Sequence, residues 1–189
     1  MLEIYVDGSC IKDNKGGFGI VITENDQVLD TYSERHDDTT NNQMEMKAII
    51  WAIHYIIDNN ITDKVIIYSD SQYAISSFID WAPGWERNGW VRSRGEPVLN
   101  LELVQEGYKL LSDYGNIILK KVKGHDGVEF NEIADMLATN TPCKKLCYGK
   151  DIAQCKYFDN ISYSCILKFN DLFDRYMLEE GRKIKNKEK

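Results

Sequence analysis

Long apolar runs are missing from this 189-residue chain, and none approaches the roughly 18 residues that a membrane span needs. A transmembrane helix is therefore not expected, and membrane partners are not expected either. The first residues, Met1-Leu2-Glu3-Ile4-Tyr5, lack both a basic stretch and an apolar signal core, so the reading is of a protein that is not secreted. Paired cysteines are missing as well. The five cysteines are odd in number and irregularly spaced, which argues against a disulfide framework and for a reduced, cytoplasmic or otherwise intracellular protein. Positive charge is scarce, with a net charge of −7. The deficit is uneven. Residues 1–140 hold 12 Lys and Arg against 23 Asp and Glu, a balance of −11, and residues 141–189 hold 11 against 7, a balance of +4. What is present is an apolar fraction of 43%, enough for a core, in a length that fits one domain plus an appendage.

The hydrophobic pattern predicts strands over Leu2 to Ser9, Phe18 to Thr23 and Val28 to Ser33, the last two joined through Asn25-Asp26. Thr39-Thr40-Asn41-Asn42 is a cluster of capping residues, and Met44, Ala48, Trp51, Ala52 and Tyr55 follow at helical spacing, so a helix is expected over 43–58. A strand over 64–69 follows, then a helix over 72–81 and a Trp- and Gly-rich stretch from Trp81 to Trp90. A second amphipathic helix is predicted over 97–113, a strand over 117–122 and a helix over 131–139. Strands that alternate with helices pair in parallel, and strands joined by short turns pair antiparallel. The expected fold is therefore α/β: a five-stranded mixed sheet, flanked by helices, whose strand C-terminal ends form a crevice.

Four acidic residues sit in local patterns that lead toward that crevice: Asp7 in Tyr5-Val6-Asp7-Gly8-Ser9, Glu45 in Asn41-Asn42-Gln43-Met44-Glu45, Asp70 in Tyr68-Ser69-Asp70-Ser71-Gln72, and Asp135 in Asn131-Glu132-Ile133-Ala134-Asp135. Any one of them alone reads as a solvated charge, and Glu45 alone reads as a capping residue. Asp7 does not, because a carboxylate in a central apolar strand is costly without a partner. Together they are what a Mg²⁺ site for phosphoryl transfer requires, since hard cations take oxygen ligands.

These patterns, in this order, with Val122-Lys123-Gly124-His125 just before the last, resemble the type 1 ribonuclease H family over residues 1–140. The resemblance implies a ribonuclease H-like fold and hydrolysis of the RNA strand of RNA–DNA hybrids, leaving 5′-phosphate and 3′-hydroxyl ends. It implies two Mg²⁺ ions, with Mn²⁺ as a substitute. Asp7 would bridge them, Asp135 would complete one site, and Glu45 and Asp70 the other. His125 would assist proton movement and product release, a role suited to a side chain that titrates near neutrality. The 2′-hydroxyl is the handle that separates RNA from DNA. Asn41, Gln72 and the backbone of Gly8-Ser9-Cys10 are its candidate readers. Thr40 and Asn14 are candidates for a DNA-phosphate pocket, although the loop at Lys12 to Gly17 is about one residue shorter than in the family. Trp81 and Trp85 lie in the counterpart of a basic protrusion that grips the DNA strand. Here it carries no Lys, and packing of its Trp residues on the helix beneath is an equal reading. A monomer is expected, as is a role in primer removal or R-loop clearance. The rival readings are another nuclease of the same fold and a non-catalytic hybrid-binding module.

Residues 141–189 read as a separate extension. Cys143, Cys147, Cys155 and Cys165 have no neighbouring His and only one close spacing, so apolar packing is preferred to a zinc site. An amphipathic helix is expected over 166–180, followed by a basic end, Arg182 to Lys189, with five basic residues among eight.

Overall fold

The alternating stretch at the N-terminus forms the central strand of the sheet. In the computed structural model, which describes residues 1–124, 126–140, 158–159 and 164–165, strand β1 runs Leu2–Cys10. Its middle five residues are buried on both faces. Antiparallel β2 (Gly16–Glu24) lies on one side of it and β3 (Gln27–His36) beyond. Asn25 and Asp26 both have positive φ, 51° and 61°, the type I′ geometry whose twist matches a two-residue hairpin. On the other side β4 (Val65–Ser69) pairs parallel to β1, and β5 (Ile117–Lys121) parallel to β4. The order is β3-β2-β1-β4-β5, the mixed sheet expected from the connection lengths.

Helix α1 (Asn41–Asp58) covers one face and α5 (Glu129–Thr139) packs on β1 and β2. Ile4, Val6, Ile20 and Ile22 of the sheet meet Met46, Ile49 and Ile53 of α1 in the core. Helix α1 begins two residues before the sequence expectation because Thr40 is its cap. The Thr40 hydroxyl accepts from Gln43 N–H while the Gln43 side chain accepts from Thr40 N–H, a reciprocal capping box.

Two helical expectations need correction. The helix over 72–81 is α2 (Gln72–Ser76) followed by a π-helical turn over Ser77–Trp81, and α3 (Ala82–Arg87) continues from it. Pro83 explains the interruption: it lacks an N–H and its ring crowds the carbonyl four residues back, so the preceding turn widens. The helix over 97–113 is α4 (Leu101–Asp113) alone. Asn100 is left-handed at φ 55°, and residues before it close a small hairpin through Arg92 N–H to Glu96 O and Val98 N–H to Trp90 O.

The chain divides into two units, Met1–Thr139 and Asn140–Lys189. In the second, β6 (Phe158–Asp159) pairs antiparallel with β7 (Ser164–Cys165). The helix expected over 166–180, the basic end, and Cys143, Cys147 and Cys155 lie outside the described residues, as does His125. Among the described residues no helix is long and apolar enough to cross a membrane.

Candidate metal centre

Strand register brings the first two acids together. Val6 pairs with Ser69 in the parallel β1–β4 ladder. Asp7, the next residue on β1, therefore stands beside Asp70, the first residue past β4. Helix α1 delivers the third. Its first turns cross directly over Gly8, where a Cβ would lie 2.7 Å from Glu45 Cα and closer still to the Met44–Glu45 peptide. Only glycine lets the helix approach the strand this closely. Ligand oxygens of Asp7, Glu45 and Asp70 consequently lie within 4.8 Å of one another. Asp7 and Glu45 are buried, 6% and 9% exposed, and Asp70 is half-buried. Asp135, half-buried on α5, stands outside this trio, but its charge reaches both Asp7 and Glu45.

The electrostatics of this cluster are unfavourable when it is left to itself. Burial pushes the Asp7 carboxyl up to about 10, with the charges of Glu45, Asp70 and Asp135 adding to the rise. Glu45 is pushed up to about 8 by burial and by Asp70, offset in part by the Gly8 N–H and by Lys121. Glu45 Oε2 is buried without a hydrogen-bond partner among the described residues. A buried oxygen of this kind costs free energy unless something occupies its lone pairs. An all-oxygen donor set with excess negative charge and an orphaned buried oxygen fits a hard divalent cation. Asp7, Glu45 and Asp70 are the residues that would hold it, with Asp135 alongside.

Neighbouring residues support the trio. Lys121, at the end of β5, donates from Nζ to the Asp70 carbonyl and to Val122 O at 3.0 Å. No motif marks Lys121 in the sequence. Only its position at the C-terminal end of a strand beside β4 pointed toward the crevice. The backbone of Gly124 abuts Asp70, and a Cβ there would come within 3.3 Å of Asp70 Cγ and closer to Oδ2. That is a packing reason for the glycine of Lys123-Gly124-His125.

The residues proposed to read substrate are placed as follows. Asn41 is not the cap of α1. Its Oδ1 accepts from Cys10 N–H at 2.5 Å, tying the helix start to the end of β1. Its amide nitrogen has no partner among the described residues. Ser9 and Cys10 are half-buried at that strand end, and Cys10 Sγ donates to Thr39 O at 3.3 Å. Thr40 is engaged in the capping box. Asn14 is exposed, left-handed at φ 55°, and its carbonyl accepts from Thr39 N–H at 2.9 Å. The loop is therefore joined to the residue just before the cap of α1. Gln72 is exposed and donates to Ser76 Oγ at 2.9 Å. Trp81 is 42% exposed, in contact with Tyr73 and with Trp85, while Trp85 and Trp90 are half-buried against the core. Trp85 and Trp90 thus pack as the second reading of the Trp-rich stretch expects, while Trp81 presents an exposed ring. Arg92 pairs with Glu96 at 2.6 Å, so one of the three arginines of the stretch, Arg87, Arg92 and Arg94, is already partnered.

Comparison with known proteins identifies the family and the fold. Residues 1–142 match the family described as RNase H. A Ribonuclease H of Geotalea uraniireducens is 40% identical over 138 residues, covering 72% of this chain and 90% of its own. The Ribonuclease H of Chromobacterium violaceum is 37% identical over 139 residues, covering 72% and 91%. Among solved structures, the PFV RNase H domain superposes with a TM-score of 0.65 at 29% identity, covering 73% of this chain and 92% of that one. The foamy viral protease-reverse transcriptase in complex with an RNA/DNA hybrid gives 0.65 at 27% identity, covering 73% of this chain and 19% of that one. With three quarters of its length matched by the family and Asp7, Glu45 and Asp70 gathered in one cluster, this chain belongs to the RNase H family.

Proposed function

We propose that the chain hydrolyses the RNA strand of RNA–DNA hybrids with divalent cations, Mg²⁺ first among them, leaving 5′-phosphate and 3′-hydroxyl ends. The observation that carries this reading is the buried trio of Asp7, Glu45 and Asp70 with its orphaned Glu45 oxygen, in a chain of this family. When bound, a pair of such cations supplies the Lewis acidity that stabilises the attacking and leaving oxygens of an in-line displacement. Asp7 lies centrally among the carboxylates and is the ligand proposed to be shared. Glu45 and Asp70 hold one side, and Asp135 the other. In the reaction water adds to phosphorus, the bond to the 3′ oxygen breaks, and that oxygen gains a proton. The Asn41 amide at the junction of α1 and β1 is the proposed reader of a 2′-hydroxyl, with the backbone of Gly8, Ser9 and Cys10 and the side chain of Gln72 beside it. Trp81 offers an exposed ring face for the DNA strand, with Trp85 behind it.

A labelled RNA–DNA hybrid incubated with full-length protein and Mg²⁺ tests the reading, with duplex DNA and duplex RNA as controls. Selective cutting of the hybrid RNA supports it. A hybrid bound without cleavage would instead favour the binding-module alternative. His125→Ala is expected to reduce kcat on the hybrid by about 10²-fold, the lower end of general acid–base assistance, while leaving cleavage measurable. Unchanged kcat, or complete loss, would contradict an assisting role.

Asn41→Ala is expected to lower kcat/KM on hybrid by the equivalent of about 1–2 kcal/mol, the worth of a lost hydrogen bond. The capping box belongs to Thr40 and Gln43, so α1 keeps its cap. An unchanged kcat/KM alongside a lowered unfolding midpoint would assign Asn41 to holding the β1–α1 junction and nothing more.

A further inference from the structure

We infer that Arg35 is a positioning residue which, together with the glycines of β2, sets where α5 sits and therefore where Asp135 stands relative to Asp7. The inference rests on the proposed role of those two carboxylates. It starts from the C-terminal end of α5. The last carbonyls of a helix have no intrahelical donor and need another partner. Here each of the relevant ones has one. The Thr139 hydroxyl donates to Asp135 O at 2.9 Å and to Met136 O at 3.3 Å. Arg35 donates from Nη2 to Leu137 O at 2.5 Å and from Nη1 to Ala138 O. A cation at a helix C-terminus also meets the negative end of the helix dipole. The planar fork of arginine can serve two carbonyls at once, which a lysine cannot do with the same geometry.

Arg35 is more than one hundred residues away in sequence, on the edge strand β3, and reaches α5 across β2. Its register partner there is Gly17, where a Cβ would lie 2.9 Å from Arg35 Cζ and closer to Nη1. Two residues on, a Cβ at Gly19 would lie 2.6 Å from Leu137 Cβ and 2.7 Å from Ala138 N, and would overlap Ala134 O. Gly19 is also the cross-strand partner of Asp7. The turn of α5 that contains Asp135 therefore rests directly on the backbone beside Asp7, and the guanidinium fastens the end of that same turn. Among the described residues Arg35 makes no ion pair with any carboxylate. Its charge is spent on the helix end. Small displacements matter at such a site, since misplacing a reacting group by about 1 Å can cost on the order of 10²-fold in rate.

The test uses the full chain and three variants: Arg35→Met, which keeps the stem but removes the donors and the charge, Arg35→Lys, which keeps the charge, and Gly19→Ala, which adds bulk under α5. Two readouts are taken. The first is kcat and KM on hybrid with Mg²⁺. The second needs no turnover: the relaxation that Mn²⁺ induces at the Asp135 amide relative to the Asp7 amide, measured by NMR without substrate. Arg35→Met should lower kcat about tenfold with KM within about twofold, and should lower the Asp135-to-Asp7 relaxation ratio. Arg35→Lys should recover part of both. Gly19→Ala, where it folds, should show the same signature without touching Arg35. An unchanged relaxation ratio in Arg35→Met, or a lowered melting temperature with kcat unchanged, would overturn the inference and leave Arg35 as a plain fastening. If the wild-type protein did not cleave hybrid, the proposed function would fall, yet the relaxation ratio would still decide whether Arg35 places Asp135.

Discussion

Asp7→Asn is expected to abolish hybrid cleavage, by at least about a thousandfold, and at the same time to make the metal-free protein more stable. Both effects follow from the same burial. Asp7 lies at the centre of the acidic cluster, 6% exposed, with Glu45, Asp70 and Asp135 all acting on it. The amide removes the charge that the cations would share, so charge stabilisation in the transition state is lost. The stability effect has the opposite sign. The folded carboxyl is pushed up to about 10, far above its unfolded value of about 3.9. Its favourable contribution is complete below the unfolded value and is lost as pH rises toward the folded one. At pH 7 the folded state must hold a proton that the unfolded chain has released, at a cost of up to about 4 kcal/mol. Asparagine avoids that cost and brings donors for the neighbouring carboxylates. Urea unfolding in EDTA should therefore show a gain of about 2–4 kcal/mol at pH 7 that shrinks toward zero near pH 4. A variant that kept a tenth of the activity, or that was less stable in EDTA, would contradict the assignment of this residue.

The second large effect is a pH-dependent stabilisation by Mg²⁺. Glu45, pushed up to about 8, adds to Asp7. Between the unfolded values near 4 and these folded values, metal-free stability should fall as pH rises. A cation that binds only the folded site adds RT ln(1 + [L]/Kd), about 2.7 kcal/mol at a hundred times Kd. Binding displaces the protons that the cluster would otherwise hold, so the gain grows with pH. Calorimetric unfolding with EDTA or with saturating Mg²⁺, near pH 5 and near pH 8.5, should show a clearly larger Mg²⁺ increment at the higher pH. Equal increments would mean that these carboxylates do not bind the ion. Asp7→Asn should remove most of the increment at both values.

Much of this was legible in residues. Alternation and turn chemistry marked β1 to β3, and the capping cluster with helical spacing marked α1 to within two residues. Asp7, Glu45, Asp70 and Asp135 were recognisable because each sits in a local pattern, on a central strand, just past a strand or within a helix. The errors were local and had local causes. Pro83 was read as lying outside a helix, but its restricted φ and missing N–H are compatible with a first turn, and the strain appeared one turn earlier as a π-helical turn. Asn41 stands in a cluster of four consecutive capping residues, which offers several registers. The choice fell to Thr40 because Gln43 completes its capping box while Asn41 reaches back to Cys10.

The sequence by itself determined the elements, their alternation and the set of acidic residues, because strand and helix periodicity and turn preference are local properties. Tertiary structure alone decided which of those acids form the tight group. Strand register set Asp70 beside Asp7, and the absence of a Cβ at Gly8 let α1 bring Glu45 onto the same spot. Asp135 stayed farther off because α5 rests on Gly19 and is fastened by Arg35. Lys121 and Arg35 were silent in the sequence for the same reason: a side chain that acts on a carbonyl fifty or a hundred residues away leaves no local pattern. Distances across a sheet depend on register and on the bulk between backbones, and neither is written in any short stretch of chain.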